Sequence, residues 1–468
     1  MSMEATTNWE LVKLKDLCER ITKGSTPTSY GYQYTTEGIR FIKAENIDSD
    51  GIASSTTNYI DSDTHQFLKR SILKDRDILF SIAGTIGRVG LLRPLDLPAN
   101  TNQALAIVRL KEGALDHKYL FHYLRSDAIQ KTALKQIVGV GRANLSLENI
   151  GDFEIPVAPL DQQKRIVAEI EKQFSRLDEA VANLKRVKAN LKRYKAAVLK
   201  TAVEGRLVET EAEIARREGR SYETGEQLLQ RILETRRSQG QGKGKYKEPV
   251  APDTADLPEL PEGWVWASVG QLGAVKGGKR LPAGHTYAEG RTSYPYIRVT
   301  DFEGHGVRTS ELQYLKEETQ KEIARYTITS DDIYISIAGS IGLVGRVPEH
   351  LNGANLTENA AKITELVHDA PMYLVYWLSS PTGIVRISES TIATTQAKLA
   401  LFRIELIPVP LPPLAEQHRI VSEIDHLLSV TCEAEGEFEA TLKRTQVLRN
   451  SILGRAFSRQ DTGPLVRI

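Results

Sequence analysis

Cysteine is scarce in this sequence of 468 residues, which holds only two, Cys18 and Cys432. Two cysteines this far apart cannot form the several crosslinks that stabilise small secreted domains, and they lack the spacing of metal ligands. We therefore expect neither a disulfide framework nor a bound metal. Such a chain suits the reducing cytoplasm.

Long apolar stretches and an excess of one charge are also lacking. No run approaches the 18 or so apolar residues of a membrane-spanning helix, and the first residues, MSMEATTNWE, lack the basic start and apolar core of an export signal. Lys and Arg number 61 against 60 Asp and Glu, so the net charge of +1 does not by itself indicate a partner. We expect a cytoplasmic protein of several domains that does not contact membranes.

Motifs of common enzymes are missing as well. Residues 273–280, GAVKGGKR, come close to a phosphate-binding loop, but Arg280 stands where a magnesium-binding hydroxyl is required and Pro282 blocks the helix that should follow. Neither G-x-S-x-G nor H-E-x-x-H occurs, and His117 and His122 are predicted to be packing or surface residues of a helix. No NPPY-like tetrapeptide of an amino-methyltransferase is found. The sequence therefore predicts no catalytic residue.

The sequence does contain a long helix, predicted over residues 159–207, in which apolar residues recur every seven positions as in a coiled coil. Pro159 suits the first turn and Gly205 the C-terminal cap. At 1.5 Å per residue the helix is roughly 65 Å long, too long to be buried in one small domain, so it needs a partner helix. Its predicted seam consists of Ile170, Phe174, Leu177, Val181, Leu184, Leu191 and Val198.

The partner helix is a second copy in the same chain, predicted over residues 413–460. Adding 254 to the numbering takes Pro159 to Pro413 and the RIV of 165–167 to the RIV of 419–421, which indicates internal duplication. The second copy is more polar in its middle, so the seam is imperfect. We predict that the helices pack on each other; the alternative is two ordinary amphipathic helices of separate cores. The second seam consists of Ile424, Leu428, Phe438, Leu442 and Ile452.

The duplication extends into the residues before each helix, since DILFSIAGTIGRVG at 77–90 matches DIYISIAGSIGLVG at 332–345. Short β-type runs and a helix at 117–126 predict an irregular, loop-rich α+β domain in each copy. The domains are less alike than the helices, which suggests one framework with two different surfaces. The predicted segments are a first domain at 1–158, the first helix at 159–207, a charged helix and flexible linker at 208–263, a second domain at 264–412, the second helix at 413–460 and a tail at 461–468.

Several of these segments carry a family resemblance. PLDQQKRIVAEIE and PPLAEQHRIVSEID each close a domain, AVLKTAVEGRLV and SILGRAFSRQ end the helices, and LPELPEGWVW leads into the second copy. In this order, over essentially the full length, they resemble the specificity subunit of type I restriction-modification systems. The tail TGPLVRI departs from the pattern, because it lacks a counterpart of the helix predicted from Gly225 to Arg237.

The resemblance implies a fold and a set of partners. Two target recognition domains would each read one half of a bipartite site in double-stranded DNA, and two antiparallel helices would fix the distance between the halves. Two methyltransferase subunits would dock on this non-catalytic chain, and a restriction motor subunit could join them. S-adenosylmethionine would then belong to the methyltransferase partner, and ATP and Mg to the motor subunit.

Candidate base contacts lie in a pair of aligned loops, GVGRAN at 139–144 and ATTQAK at 393–398. Arg pairs well with guanine, and Asn or Gln with adenine, in the major groove. Different side chains on matched loops are what two domains with different targets require. The alternative is a glycine-rich turn with solvated polar residues. The predicted readers are Arg142, Asn144, Gln396 and Lys398.

Candidate phosphate contacts lie in the aligned turns GTIGR at 84–88 and GSIGL at 339–343. Amides of a glycine turn with a hydroxyl can clamp a phosphate, although a tight hairpin turn that simply needs its glycines is the alternative. Lys43 and Arg298 share one aligned strand position and could also face phosphates. The predicted phosphate contacts are therefore Thr85, Arg88, Ser340, Lys43 and Arg298, and weaker candidates are Lys23, Ser25, Thr26, Lys279 and Arg280.

Two other classes of function stay open at this point. One is a fused methyltransferase or nuclease, which the missing motifs disfavour. The other is a coiled-coil scaffold that does not recognise a DNA sequence. Residues 159–206 hold twelve Lys or Arg against six Asp or Glu, which is usually a solvated helix face but could lie over DNA phosphates or a partner.

Overall fold

The computed structural model describes residues 9–48, 51–53, 58–137, 144–240, 247–367, 370–391 and 397–458. The chain forms two compact units, the first built from residues 1–185 and 438–468 and the second from residues 186–437. Two helices of 44 residues each, Leu160–Val203 and Leu414–Phe457, contribute to both units. Each unit thus contains an α+β domain, the beginning of one long helix and the end of the other.

The first domain is built on a four-stranded antiparallel sheet in the order Cys18–Lys23, Leu105–Leu110, Ile78–Ser81, Val89–Leu91. The strand Ile78–Ser81 is buried along its whole length, which suits its first three residues, all of them apolar. A three-stranded sheet orders Tyr59–Ile60, Ile39–Ile42 and Ala99–Thr101, the last two parallel. Two-stranded sheets pair Glu10–Lys13 with Glu154–Val157 and Ile47–Asp48 with Gly51–Ile52. Its helices are Leu14–Leu17, Ser62–Phe67, His117–Leu124, Asp127–Lys135 and Leu147–Gly151.

The second domain repeats this plan. Its four-stranded antiparallel sheet follows the order Ala274–Gly277, Ala360–Thr364, Ile333–Ser336, Val344–Arg346. A second sheet orders Gln313–Tyr314, Pro295–Ile297, Ala354–Leu356 and Thr327–Ile328, with the middle pair parallel. Two-stranded sheets pair Val265–Ser268 with Pro408–Leu411 and Phe302–Glu303 with Gly306–Val307. Its helices are Val269–Leu272, Glu317–Glu322, Pro371–Ser379, Pro381–Glu389 and Leu401–Glu405. The predicted tandem α+β repeat is confirmed.

The long helices pack in the same way in both units. In the first unit, Phe174 near the start of the first helix shares the domain core with Ile452 and Phe457 at the end of the second. In the second unit, Val198 at the end of the first helix shares a core with Ile424 at the start of the second. Because a beginning always meets an end, the helices run antiparallel.

The predicted seam residues all turn away from solvent. Ile170, Phe174, Val198, Ile424 and Ile452 are buried, and the remaining seam residues, Leu177, Val181, Leu184, Leu191, Leu428, Phe438 and Leu442, are half-buried. The predicted pairing of the two long helices is therefore confirmed, and the assignment of these residues to one continuous seam stays a prediction.

The polar middle of the seam is accounted for by charge pairing. Lys195 has the same heptad position as Phe174 and Val181 of the seam. Its Nζ lies 2.8 Å from Oε2 of Glu435, and both side chains are about one-third exposed or less. Arg449 pairs with Asp178 and lies over the ring of Phe174, with its guanidinium carbon 5.1 Å from the ring centroid. A polar residue at one seam position of a coiled coil favours one register over the shifted ones. These pairs therefore contribute more to alignment of the helices than to stability.

The linker contains one helix that the sequence predicts and a second helix that it does not. The predicted charged helix spans Gly225–Gly240, and its apolar side, with Leu228 and Ile232, is buried in the core of the second domain. The missed helix, Glu211–Glu218, begins at Thr210, whose side chain accepts from the amide of Glu213. Most of the basic GQGKGKYK tether lies outside the described residues.

A buried carboxylate holds this extra helix against the second long helix. Glu416 accepts from the amide of Glu211 at 2.9 Å and from Trp264 Nε1 at 3.0 Å. Its burial raises the pKa of Glu416, although both bonds favour the ionised form. Arg419 balances the charge by donating to Glu211 at 2.6 Å. In the first domain Gln162 takes the place of Glu416 and accepts from Trp9 Nε1 at 3.3 Å.

His122 provides a test of the first unit's stability. It is 4% exposed beside Phe121 and Phe174, and burial, followed by the charges of Arg125 and Lys118, lowers the pKa of His122 to about 3. Below the ordinary histidine pKa of about 6.5 the imidazole of His122 is therefore protonated in the unfolded chain and stays neutral in the folded unit. The free energy of unfolding consequently falls as the pH falls.

We expect His122→Phe to reduce the acid sensitivity of the first unit. Between pH 7 and pH 5 the wild-type unit should lose about 2 kcal/mol of unfolding free energy through this group, and the variant should keep it. Urea unfolding at the two pH values measures the difference, and His418→Phe, on the exposed side of the second long helix, is the matched control. Equal pH dependence in wild type and His122→Phe would contradict the assignment.

Within the described residues no helix combines the length and the apolar character needed to cross a membrane. The same part of the chain contains no cluster of His, Cys, Asp and Glu side chains suited to hold a metal ion.

Candidate DNA-reading edge

In the first domain, four chain segments with polar residues meet at one end of the four-stranded sheet. The amide of Ile82 donates to the carbonyl of Ala104 at 2.8 Å, and its carbonyl accepts from Leu145 at 3.0 Å. The amide of Ser25 donates to the carbonyl of Thr101 at 3.0 Å. We call the resulting surface the polar edge, defined by residues 23–26, 82–88, 102–104 and 144 in the first domain.

The second domain has the same edge with the same backbone bonds. The amide of Ile337 donates to Asn359 at 2.8 Å, and its carbonyl accepts from Leu399 at 3.0 Å. Lys279 donates to the carbonyl of Leu356 at 2.8 Å. The polar edge of the second domain is defined by residues 278–281, 337–343, 357–359 and 398.

A glycine in each domain makes the close approach possible. A Cβ on Gly24 would lie 2.1 Å from the carbonyl oxygen of Thr101, and one on Gly278 would lie 2.1 Å from that of Thr357. Any side chain at either position would push these segments apart. Gly278 belongs to the segment that comes close to a phosphate-binding loop in sequence. Its role is structural, because it allows Lys279 and Arg280 to reach the edge.

The glycine turns at 84–88 and 339–343 are hairpin turns built on a buried serine. Ser81 Oγ donates to the carbonyl of Thr85 at 2.6 Å and accepts from the amide of Arg88 at 2.7 Å, and Ser336 makes the same two bonds with Ser340 and Leu343 at 2.5 and 2.8 Å. The first and last glycines of both turns have φ between 73° and 94°, which favours glycine.

Most of the atoms expected to clamp a phosphate already have partners within the domain. The amides of Ile86 and Gly87 donate to carbonyls inside the turn at 3.1 and 3.0 Å. Arg88 directs Nη1 to the carbonyls of Ala44 and Ile47 at 3.0 and 3.1 Å. The tips of the turns, with the exposed residues Thr85 and Ser340, project into solvent. Phosphate binding by the glycine turns therefore stays a prediction, and Thr85 and Ser340 at the tips are its remaining candidates.

Lys43 and Arg298 lie beside the polar edge but differ in their surroundings. Each follows a strand that runs parallel to the strand leading into the edge. Lys43 donates to Asn58 at 3.0 Å and lies over the ring of Tyr34. Arg298 is bound through Nε and Nη2 to the buried Asp301, an ion pair that raises the pKa of Arg298. Lys43 is therefore the better phosphate candidate.

The predicted base-reading loops end at the polar edge. Arg142 and Gln396 lie outside the described residues. Asn144 and Lys398 are exposed, and they form isolated bridges with Ala83 and Ala338, beside the two glycine turns. The structure thus places two separately predicted groups, the turns and the loop ends, on one surface in each domain.

The sequence reading missed another loop of this edge, at 102–104 and 357–359. Gln103 is exposed and Glu358 is half-buried at equivalent positions. A nearby sequence signal is the match of Ala99-Asn100 with Ala354-Asn355, whose asparagines prove to be buried and bonded within the domain. The offset of 255 that relates the two glycine turns also aligns Gln103 with Glu358, but only the structure places both residues on the polar edge.

Comparisons with known proteins agree with this organisation. A profile of the type I restriction modification DNA specificity domain matches residues 6–193 and 261–444. The EcoBI specificity subunit of Escherichia coli is 26% identical over 369 residues, 77% of this chain and 69% of that protein. The EcoKI specificity subunit of Escherichia coli K12 is 20% identical over 354 residues, 72% of this chain and 64% of that protein.

A solved structure shares the fold over nearly the whole chain. It comes from work on complex assembly and conformational transition of the type I R-M system, and it superposes with a TM-score of 0.63 at 19% identity, covering 96% of this chain and 98% of that one. The matching profile covers both repeats, and the polar edge occurs once in each. The chain therefore belongs to the DNA specificity subunits of type I restriction-modification systems.

Proposed function

We propose that each domain reads one half of a bipartite DNA site with its polar edge, and that the long helices set the distance between the halves. The proposal rests on one observation. The polar edges of the two domains have the same backbone arrangement but carry different side chains. The same hydrogen bonds shape both edges, while Asn144 is matched by Lys398 and Gln103 by Glu358. A conserved frame with exchanged polar side chains is suited to direct readout of two different sequences.

The charges at the edges fit phosphate contacts around a base-reading centre. Lys23 in the first domain and Lys279, Arg280 and Lys398 in the second are exposed. Such cations contribute affinity that does not depend on sequence and that falls with salt. A scaffold without DNA recognition would not need polar edges that match in backbone and differ in side chains.

The remaining chemistry is assigned to partners. The names of the relatives describe specificity subunits, and the similar structure belongs to an assembled system. We propose that two methyltransferase subunits dock on this chain and bring S-adenosylmethionine, that a restriction subunit using ATP and Mg can join, and that this chain performs no catalysis. We also propose that it acts in the cytoplasm, where the DNA is.

Mapping of modified bases tests the proposal directly. The chain is co-expressed with its methyltransferase subunit in a host without other modification systems, and the genome is read by long-read sequencing that detects methylated bases. The expected result is one motif of two defined halves separated by a fixed unread spacer. A single continuous motif, or modification without a motif, would refute the proposal.

Lys43 should contribute DNA affinity that does not depend on sequence, whereas Arg142 should contribute discrimination between bases. Lys43→Ala is expected to weaken all duplexes alike and to lower the slope of binding against salt by about one, because one phosphate contact is lost. Arg142→Ala is expected to lose about 1 to 3 kcal/mol of discrimination at one base pair. Binding titrations at several salt concentrations, with matched and single-mismatch duplexes, separate the two. A uniform loss for Arg142→Ala would place it on the backbone instead.

A further inference from the structure

The loop that follows strand Ala99–Thr101 has the same position in the polar edge as the loop that follows Ala354–Leu356. Ala104 and Asn359 accept from the amides of Ile82 and Ile337, both at 2.8 Å, which places Gln103 and Glu358 at the same point of the two loops. The backbone thus presents two different side chains at one equivalent position.

Both side chains are held by a threonine hydroxyl. Thr26 Oγ1 donates to Oε1 of Gln103, and Thr357 Oγ1 donates to Oε2 of Glu358 at 3.0 Å. The two threonines come from different positions in the domains, since Thr26 lies in the early loop and Thr357 precedes Glu358 directly. A hydroxyl bond of this kind fixes the plane of the terminal group before any ligand arrives, which lowers the entropy lost on binding.

The two groups differ in what they can recognise. The glutamine amide has an acceptor and a donor side by side, which matches N6 and N7 of adenine in the major groove, while the glutamate carboxylate only accepts and matches the N4 amino group of cytosine. A carboxylate near DNA is repelled by phosphates, and Lys279 and Arg280 lie on the same edge to offset that repulsion.

We infer that Gln103 reads an adenine in the half-site of the first domain and that Glu358 reads a cytosine at the equivalent position of the other half-site. This inference rests on the proposed function and extends it to two residues and two bases. It treats Thr26 and Thr357 as positioning residues that orient the readers.

The reciprocal substitutions Gln103→Glu and Glu358→Gln test the inference with almost no change in side-chain volume. Each variant is assembled with the methyltransferase subunit, and bound duplexes are selected from a random library and sequenced. Gln103→Glu should shift the preference at one position of the first half-site from adenine to cytosine, and Glu358→Gln should shift the second half-site from cytosine to adenine. Each shift should be roughly 10- to 100-fold, and the half-site of the unmodified domain is the internal control.

Alanine variants provide a second test in case a reciprocal variant binds DNA too weakly for duplexes to be selected. Gln103→Ala and Glu358→Ala should flatten base preference at one position each, with unchanged circular dichroism and melting temperature. Full discrimination at every position in both alanine variants would overturn the inference. If that occurs while the wild-type assembly still selects two half-sites with a fixed spacer, the proposed function stands without it. If the wild-type assembly selects no bipartite site, the proposed function itself fails.

Discussion

A chain in which residues 264–412 replace residues 1–158 is expected to recognise the second half-site twice and the first half-site not at all. In the proposed arrangement the long helices are antiparallel with one domain at each end, so the two copies should appear as an inverted repeat. Because both domains carry the complete polar edge, all base readers of one half-site move together. This is the largest change in specificity that we expect from any variant of the chain.

At the junction with the long helices, the two domains make the same hydrogen bonds, which favours the exchange at that point. Gln163 donates to the carbonyl of Ala158 at 2.7 Å, and Gln417 donates to that of Pro412 at 2.9 Å. Tyr119 and Tyr373 hold the final strands through bonds to Pro156 and Pro410 at 2.8 and 2.7 Å.

Sequencing of modified sites gives the readout, and the reverse exchange, with residues 1–158 in place of 264–412, is the matched control. The control should recognise the first half-site twice. If both halves changed to unrelated sequences in either chimera, the domains would not be independent readers.

Lengthening both long helices by one heptad is expected to keep both half-sites and to widen the unread spacer. The seam repeats every seven residues, so one heptad after Leu184 and one after Phe438 leave every later seam residue facing its partner. Seven residues add roughly 10 Å, which is close to three base pairs at about 3.4 Å each. The accompanying twist has to be absorbed by the domains or by the DNA.

Insertions of five residues at the same two places provide the matched control. At 3.6 residues per turn they turn the following seam residues about 140° away from the partner helix, so the assembly should lose stability and activity. A folded, active heptad variant with an unchanged spacer would show that the distance is set elsewhere.

The helices were accessible to sequence reasoning because their signal is local and periodic. Ile170 and Ile424 lie at the same point of both copies, and both are fully buried. The helix Glu211–Glu218 was missed because its sequence is charged, and its burial depends on Glu416 and Arg419, which lie about 200 residues away.

The candidate site was only partly predictable for the same reason. The turns and the ends of the base-reading loops could be found by alignment, since their residues are close together in each copy. Gln103 reaches the edge through the pairing of strands from distant parts of the chain, and no local pattern reveals that. The ion pair between Arg298 and Asp301 could have been predicted from the sequence. The same R-x-x-D spacing recurs at Arg93 and Asp96, where the same ion pair forms.

A major-groove footprint of the assembled complex on one modified site would show whether two separate edges contact two separate stretches of DNA. Dimethyl sulfate probes guanine N7 in the major groove, and we expect two clusters of protected guanines flanking an unprotected spacer. Gln103→Ala and Lys43→Ala together should weaken protection in one cluster and leave the other intact. One continuous protected stretch, or equal loss in both clusters, would contradict the proposal.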